Sequence, residues 1–172
     1  DNDAFRDLNK AYILPGDLTH DLPPKGKYLS VYKNSLVISG QPTNVNNVSF
    51  SLAGSEIIGE KGSEAFPSAT NQILVESSFG DKISAIASLR DSLFVFHKNS
   101  IHAIIGEIND DQGVTFISDL ITKEGQLGCE ASSSILEIGN KLMFLSKNGI
   151  YTIDSSSSLS ELSNLVHPLF KN

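Results

Sequence analysis

The stretch SLRDSLFVFHKNSIHAII at Ser88–Ile105 returns in pattern as EIGNKLMFLSKNGIYTI at Glu137–Ile153. Each copy contains a polar turn, an apolar run, a second tight turn and another apolar run. Short apolar runs separated by polar turns are typical of antiparallel strands joined by hairpins. The two copies therefore predict the same β-meander twice.

A third copy precedes these two, because Leu36, Leu93 and Leu142 begin equivalent second strands, roughly 50 residues apart. The first spacing is the larger one, and we attribute it to a loop at Ala53–Thr70. A repeat of about 40 to 50 residues made of four short strands is typical of propeller blades. The sequence predicts an all-β, β-propeller-like fold with about three meander blades. Since propellers have about four to eight blades, we expect either a fragment or a ring completed by other segments.

The repeats also set the predicted boundaries. An extended lead-in is predicted over 1–27, repeats over 28–153, and a Ser-rich linker with a short C-terminal helix over 154–172. The three repeats run approximately over 28–76, 83–118 and 132–153.

Two details of this organisation depend on local patterns. Ser158–Glu161 has capping-box spacing, and Leu159, Leu162, Leu165 and Val166 follow at helical intervals, which predicts the short helix. The third repeat shows no fourth strand, so Tyr12–Leu14 is the candidate for the fourth strand of that repeat.

In the first repeat, apolar and polar residues alternate over Val48–Leu52, which predicts a half-buried strand.

Composition limits the function classes. The 172 residues include 13 Lys and Arg against 20 Asp and Glu, for a net charge of −7, which disfavours a nucleic-acid groove. No apolar run approaches the roughly 20 residues that span a bilayer. The single Cys129 excludes an intrachain disulfide and is predicted to be a small buried hydrophobe. Because the chain starts at Asp1, we expect a piece of a larger protein.

His97 and His102 flank one predicted hairpin turn and could approach each other across it. A zinc site normally needs three or four protein ligands, and no third ligand is apparent nearby. We therefore predict polar residues on a solvent-facing strand side and no metal.

Acidic and amide side chains gather around the next hairpin: Glu107, Asn109, Asp110, Asp111 and Asp119. An EF-hand loop starting at Glu107 would need Gly where Gln112 stands and Glu where Ser118 stands. The match fails, and an exposed acidic turn is predicted.

Three other motifs carry no catalytic or binding assignment. Gly59–Ser63 lacks the order of a phosphate loop, and the serines at 132–134 and 155–158 lack a nucleophile-elbow context. Asn47–Ser49 fits a glycosylation sequon, although nothing else in the sequence indicates secretion. We predict no catalytic, cofactor-binding or metal-binding residues, and no cofactor.

Several phrases keep a common order along the chain: Leu22–Gly26, Gly40–Ser51, Ala65–Pro67, Asp81–Ile86, Asp91–Phe96, Gly125–Cys129 and Phe144–Tyr151. In this order they resemble a family of tailed-bacteriophage virion proteins, the propeller-containing tail or head-to-tail proteins of the tail tube or nozzle. The chain departs from the family where Val45 and Asn46 replace a proline expected after Asn44, and where Ser55–Ser63 looks inserted.

The resemblance implies a non-enzymatic structural protein of the virion, made in the bacterial host cytoplasm. Its implied partners are copies of itself and other virion proteins, with a homo-oligomer in the particle and no membrane insertion.

Two other readings remain open. One is a propeller-type module that binds a protein or peptide through its loops, although a WD40 repeat is disfavoured because the chain has no Trp. The other is a carbohydrate-active propeller enzyme, which needs two carboxylates roughly 5 to 10 Å apart. Its candidate carboxylates are Glu76, Asp91, Glu107 and Glu137.

Overall fold

The repeated pattern of turns and apolar runs folds into three separate sheets. The computed structural model describes residues 23–53, 65–67, 69–109, 113–121 and 126–163, with only the backbone described at 53, 107–109 and 113–119. The strands are β1 (Tyr28–Tyr32), β2 (Ser35–Ser39), β3 (Asn47–Ala53), β4 (Gln72–Leu74), β5 (Ile83–Leu89), β6 (Ser92–His97), β7 (Ile101–Asn109), β8 (Gly113–Leu120), β9 (Leu136–Ile138), β10 (Lys141–Ser146), β11 (Gly149–Asp154) and β12 (Leu159–Glu161).

Each sheet is a four-stranded antiparallel meander in which strands adjacent in the chain are paired. The first sheet contains β1–β4, the second β5–β8 and the third β9–β12. The described residues include no α-helix and one 3₁₀ turn at Ser132–Ser134, and no helix among them could cross a membrane. The all-β prediction is confirmed.

The tight turns follow the local sequence. Lys33 and Asn34 both have positive φ, of 45° and 64°, and they join β1 to β2 in a two-residue hairpin. Positive φ at both central positions is the geometry whose twist matches the flanking strands. The turns after β5 and β9 likewise use Arg90 at 52° and Gly139 at 62°.

The predicted C-terminal helix is wrong at its start, because Leu159–Glu161 forms β12 instead. Leu159 pairs with Ile153 and its side chain packs on the core, which stabilises a strand more than the local capping pattern stabilises a helix. Asp154 holds the preceding turn, since its Oδ1 accepts the amide protons of Ser156 and Ser158 at 2.9 and 3.0 Å.

Strand β12 is the fourth strand of the third sheet, a place that the sequence assigned to Tyr12–Leu14. The third sheet therefore continues to Glu161, beyond the predicted repeat end at 153. Residues 12–14, Leu165 and Val166 lie outside the described residues.

Two apolar clusters join the three sheets through the middle one. The first cluster lies between the first and second sheets: Tyr32, Val37, Val48, Phe50, Val75, Ile83, Ile86, Leu93, Val95 and Ile104. The second lies between the second and third sheets: Ala85, Leu89, Phe94, Phe96, Ile101, Ala103, Cys129, Leu142, Phe144 and Ile153. All six residues of β6 are buried, because the second sheet is covered on both faces.

Strand β3 is also buried on both faces rather than on one. Ser49 and Ser51 point away from the first cluster, yet both are buried. Ser49 Oγ accepts a hydrogen bond from Gln41 Nε2 at 2.8 Å, and Ser51 Oγ accepts one from the Leu36 amide at 2.8 Å. These bonds satisfy the polar atoms that burial removes from water.

Tyr32 joins the first sheet to the second through its hydroxyl. The hydroxyl donates to the Asp91 carbonyl at 2.9 Å and accepts from the Gly106 amide at 3.3 Å. Its ring is 1% exposed. One side chain therefore supplies both apolar contact and two long-range hydrogen bonds.

Tyr32→Phe is expected to lower the free energy of unfolding by about 1–2 kcal/mol. The ring stays in place, but the Asp91 carbonyl and the Gly106 amide lose a partner. Urea denaturation followed by circular dichroism measures the loss, with Tyr28→Phe, at a half-buried ring in the same sheet, as the matched control. An equal loss in both variants would contradict a specific bridging role for the Tyr32 hydroxyl.

Candidate functional site

A group of titratable side chains lies where the first sheet meets the second. His97 ends β6 and His102 lies in β7, with ring centroids 5.3 Å apart in an edge-on arrangement. His97 is 0% exposed and His102 is 8% exposed. The predicted approach of the two histidines is confirmed, but their predicted position on a solvent-facing side is wrong.

The register explains this burial. His97 pairs with Ile83, and His102 pairs with Val95. Both partners belong to the first apolar cluster, so the two imidazoles lie on the side of the second sheet that the first sheet covers. His97 Nε2 lies 3.2 Å from the Val75 carbonyl oxygen, which can only accept a hydrogen bond. Nε2 of His97 therefore carries a proton and donates to this oxygen.

Burial is the main cause that lowers the pKa of His97 to about 4, and the neighbouring His102 lowers it further. Burial also lowers the pKa of His102, against the opposing effect of the Asp81 carboxylate. Both imidazoles are accordingly neutral near pH 7.

Asp81 faces these histidines from the loop before β5. Burial raises its pKa, but hydrogen bonds from Ser77 and the Asn99 amide outweigh that effect, so the pKa lies below its ordinary value. Asp81 Oδ2 accepts from the backbone and side-chain nitrogens of Asn99 at 2.8 and 3.1 Å. This carboxylate fixes the turn between β6 and β7, which the sequence predicted at Lys98–Ser100.

The group does not form a metal centre. Within the described part of the chain, no three His, Cys, Asp or Glu side chains are placed to hold a metal ion together. Three buried atoms there have no hydrogen-bond partner in that part: His97 Nδ1, His102 Nε2 and Asp81 Oδ1. The arrangement can bind or release protons, and the Ser77 hydroxyl that hydrogen-bonds to Asp81 is itself buried.

The segment 126–130 packs on the same turn from the other side. The Cys129 amide donates to the His97 carbonyl at 2.9 Å, and the Cys129 carbonyl accepts from Ser84 Oγ at 2.8 Å. Cys129 is fully buried, as predicted, and burial raises the pKa of its thiol. A buried thiol with a raised pKa is a poor nucleophile.

Gly128 allows this close approach. A Cβ at position 128 would lie 2.1 Å from the His97 carbonyl oxygen and 2.6 Å from the Lys98 carbonyl carbon. Both neighbours are backbone atoms, so a side chain would force the segment away from the β6–β7 turn.

Gly128→Ala is expected to lower the free energy of unfolding by about 2 kcal/mol through this overlap. Chemical denaturation checks it, with Ser132→Ala as the control because that side chain is exposed just after the segment. Wild-type stability in Gly128→Ala would show that 126–130 does not pack on the turn as described.

A cleft of about 660 Å³ opens at the ends of the sheets, next to the start of β5. Its lining includes Lys82, Lys98 and Glu130, and Lys98 Nζ lies 3.1 Å from Glu130 Oε1. Both of these side chains are about half exposed, so their ion pair contributes little stability. The cleft has mixed charge, since Asp81 also lines it.

The four carboxylates singled out from the sequence lie on different elements. Glu76, Asp91 and Glu137 are exposed at three different turns or strands, and Glu107 lies in β7 with only its backbone described.

The remaining motifs have structural explanations or lie outside the description. Asn47 is buried in β3, where its Nδ2 donates to Gln72 Oε1 at 2.6 Å, so the folded sequon is inaccessible. Ser132–Ser134 form the 3₁₀ turn and 155–158 the β11–β12 turn. Gly59–Ser63 and Asp110–Gln112 lie outside the described residues.

Sequence reasoning missed a different feature, which is apolar exposure on the two outer sheets. Leu29, Val31 and Leu74 of the first sheet are 65, 61 and 61% exposed. Leu136 and Ile138 of the third sheet are 54 and 53% exposed. Contiguous exposed apolar patches usually mark an interaction surface.

Neither a known family model nor a curated protein matches the sequence of this chain.

Proposed function

We propose that this chain is a non-enzymatic structural component of a bacteriophage particle, in the tail or head-to-tail region. Its three meanders act as blades of a propeller-like assembly. The observation that carries the proposal is that the polar side chains stabilise the fold. Tyr32, Ser51, Asp81 and Asn47 all hold strands or turns in place, and the apolar outer faces are the surfaces left for other molecules.

The chemistry of the histidine group agrees with this proposal. His97 and His102 are neutral and covered by the first sheet, and Cys129 is buried with a raised pKa. An enzyme needs its reactive groups within reach of a substrate. The ordered phrases that resemble tail proteins supply the particle context, which the geometry alone does not.

Association with particles tests the proposal. The chain is produced with a tag together with the products of its neighbouring genes, and particles are purified on a density gradient. We expect the tagged chain in the particle fraction in a fixed ratio to the other virion proteins, as measured by quantitative mass spectrometry. Its absence from particles, or flanking genes of a metabolic operon, would overturn the proposal.

The cleft at the sheet ends favours a second candidate, a module that binds a protein or peptide. The cleft is lined by Val45 and Tyr28 as well as by charged residues, and a peptide could contact both kinds. Lys82→Glu would then abolish capture of a peptide ligand. The same variant would leave particle incorporation unchanged if the structural proposal is right.

A further inference from the structure

The two internal interfaces of the chain are made in the same way. We define the front face of each sheet as the one that carries Leu36, Leu93 or Leu142, and the back face as the one that carries Val37, Phe94 or Met143. Val37 and Leu93 share the first cluster, and Phe94 and Leu142 share the second. In both cases the back face of one sheet packs on the front face of the next.

This order leaves two faces without a partner sheet in the described part of the chain. The front face of the first sheet presents Leu29 and Val31 on β1, which pair with Ile38 and Leu36, and Leu74 on β4. Between these two edge strands the same face is buried at Ile38, Asn47 and Ser49, so its apolar exposure lies at the edges of the sheet. All three of the residues Leu29, Val31 and Leu74 are more than half exposed.

The back face of the third sheet presents a matching apolar surface. Leu136 pairs with Met143, and Leu145 pairs with Ile150, so these four side chains share the back face. Leu136 and Ile138 are each more than half exposed, and the other three are half-buried.

We propose that the back face of the third sheet packs on the front face of the first sheet of a second copy of this chain. The contact would continue an interface that the chain already makes twice, with the same two kinds of face in the same order. A second copy is the occupant because it carries the one face of each kind that no sheet covers within the described residues. The inference deepens the proposed function, and rests on it in treating the sheets as blades.

The number of sheets sets the stoichiometry. Propellers close with about four to eight blades. Three sheets from each of two copies fall within that range, whereas a third copy would exceed it. The contact is heterologous and closes by rotation, so the expected assembly is a twofold dimer in which the same interface occurs twice.

The oligomeric state of the full 172-residue chain tests this inference. Sedimentation velocity over a wide concentration range should give twice the monomer mass of 18.5 kDa. The back-face variant Leu136→Glu/Ile138→Glu and the front-face variant Leu29→Lys/Val31→Lys should each sediment as monomers with an unchanged circular dichroism spectrum. Phe79→Glu is the matched control and should remain dimeric, because Phe79 is 46% exposed in the loop between β4 and β5 and belongs to neither face.

Mixing the two variants distinguishes the head-to-tail contact from a symmetric one. Each mixed pair has one unaltered interface and one in which Glu faces Lys, so the mixture should recover the dimer. In a front-to-front dimer the back-face variant would dimerise alone, and in a back-to-back dimer the front-face variant would do so. Either result overturns the inference.

A monomeric wild-type chain would also overturn it, and other polypeptide would then cover these faces. The particle experiment separates this failure from that of the proposed function. Monomeric protein that still enters particles refutes the dimer alone, and a dimer that never enters particles refutes the structural role alone.

Discussion

Phe96→Ala is expected to lower the free energy of unfolding by about 3–5 kcal/mol. Phe96 is 0% exposed in β6, and its ring centroid lies 5.1 Å from that of Phe144 in the third sheet. The substitution leaves a cavity between the second and third sheets. These sheets contact each other through side chains and not through backbone hydrogen bonds between strands. Surrounding strands cannot collapse into it without breaking their own pairing.

Urea denaturation followed by circular dichroism measures this loss. Phe79→Ala removes the same atoms from an exposed ring and should change stability by less than about 0.5 kcal/mol. A double-mutant cycle with Phe144→Ala should give a coupling energy of about 0.5–3 kcal/mol, because the two rings are in contact. Additive losses would show that the second and third sheets are not packed through these rings.

The positions of the strands could be predicted well from the sequence, because turn residues and apolar runs act locally. Leu36, Leu93 and Leu142 were aligned by pattern alone, and each is the second residue of the second strand in its sheet. The turn at Lys33 and Asn34 is likewise a local feature, since these polar residues lie between two short apolar runs. The prediction of a meander in each repeat needed no long-range information.

The prediction failed where long-range pairing outweighs a local pattern. Ser158–Glu161 has the spacing of a helix cap, but the free edge of β11 pairs with Leu159–Glu161 and makes it a strand. The edge of another strand is not visible in a local window. The same limit applies to any short segment that ends a sheet.

Burial of the histidines could not be predicted because alternation identifies two faces of a strand without saying what covers each. His97 and His102 look like polar residues on an outer face. The second sheet, however, is the middle one and has no outer face. For the same reason the sequence does not distinguish Leu136 and Ile138, which lie more than half exposed on the last sheet, from core residues.

Acidification is expected to destabilise the fold through His97. The pKa of His97 is about 4 in the folded chain and about 6.5 in the unfolded one. The neutral form is therefore favoured by folding. The stability that this preference contributes is fully present above pH 6.5 and is lost as the pH falls toward 4. The contribution of His97 to the free energy of unfolding is therefore expected to fall by about 3 kcal/mol between pH 7 and pH 4.

His97→Gln isolates this contribution. Glutamine can still donate a hydrogen bond to the Val75 carbonyl, but it does not titrate. The variant should lose about 3 kcal/mol less stability than the wild type over the same pH range, whatever the carboxylates add to both profiles.

Two measurements check this, namely urea denaturation at a series of pH values and an NMR titration of the imidazole resonances. His102→Gln is the companion variant, because burial also lowers the pKa of His102 while Asp81 opposes the shift. Parallel pH profiles for the wild type and His97→Gln, or an imidazole of His97 that titrates near pH 6.5, would contradict the buried neutral state. Such a result would also mean that the first sheet does not cover His97, since burial is the main cause of its lowered pKa.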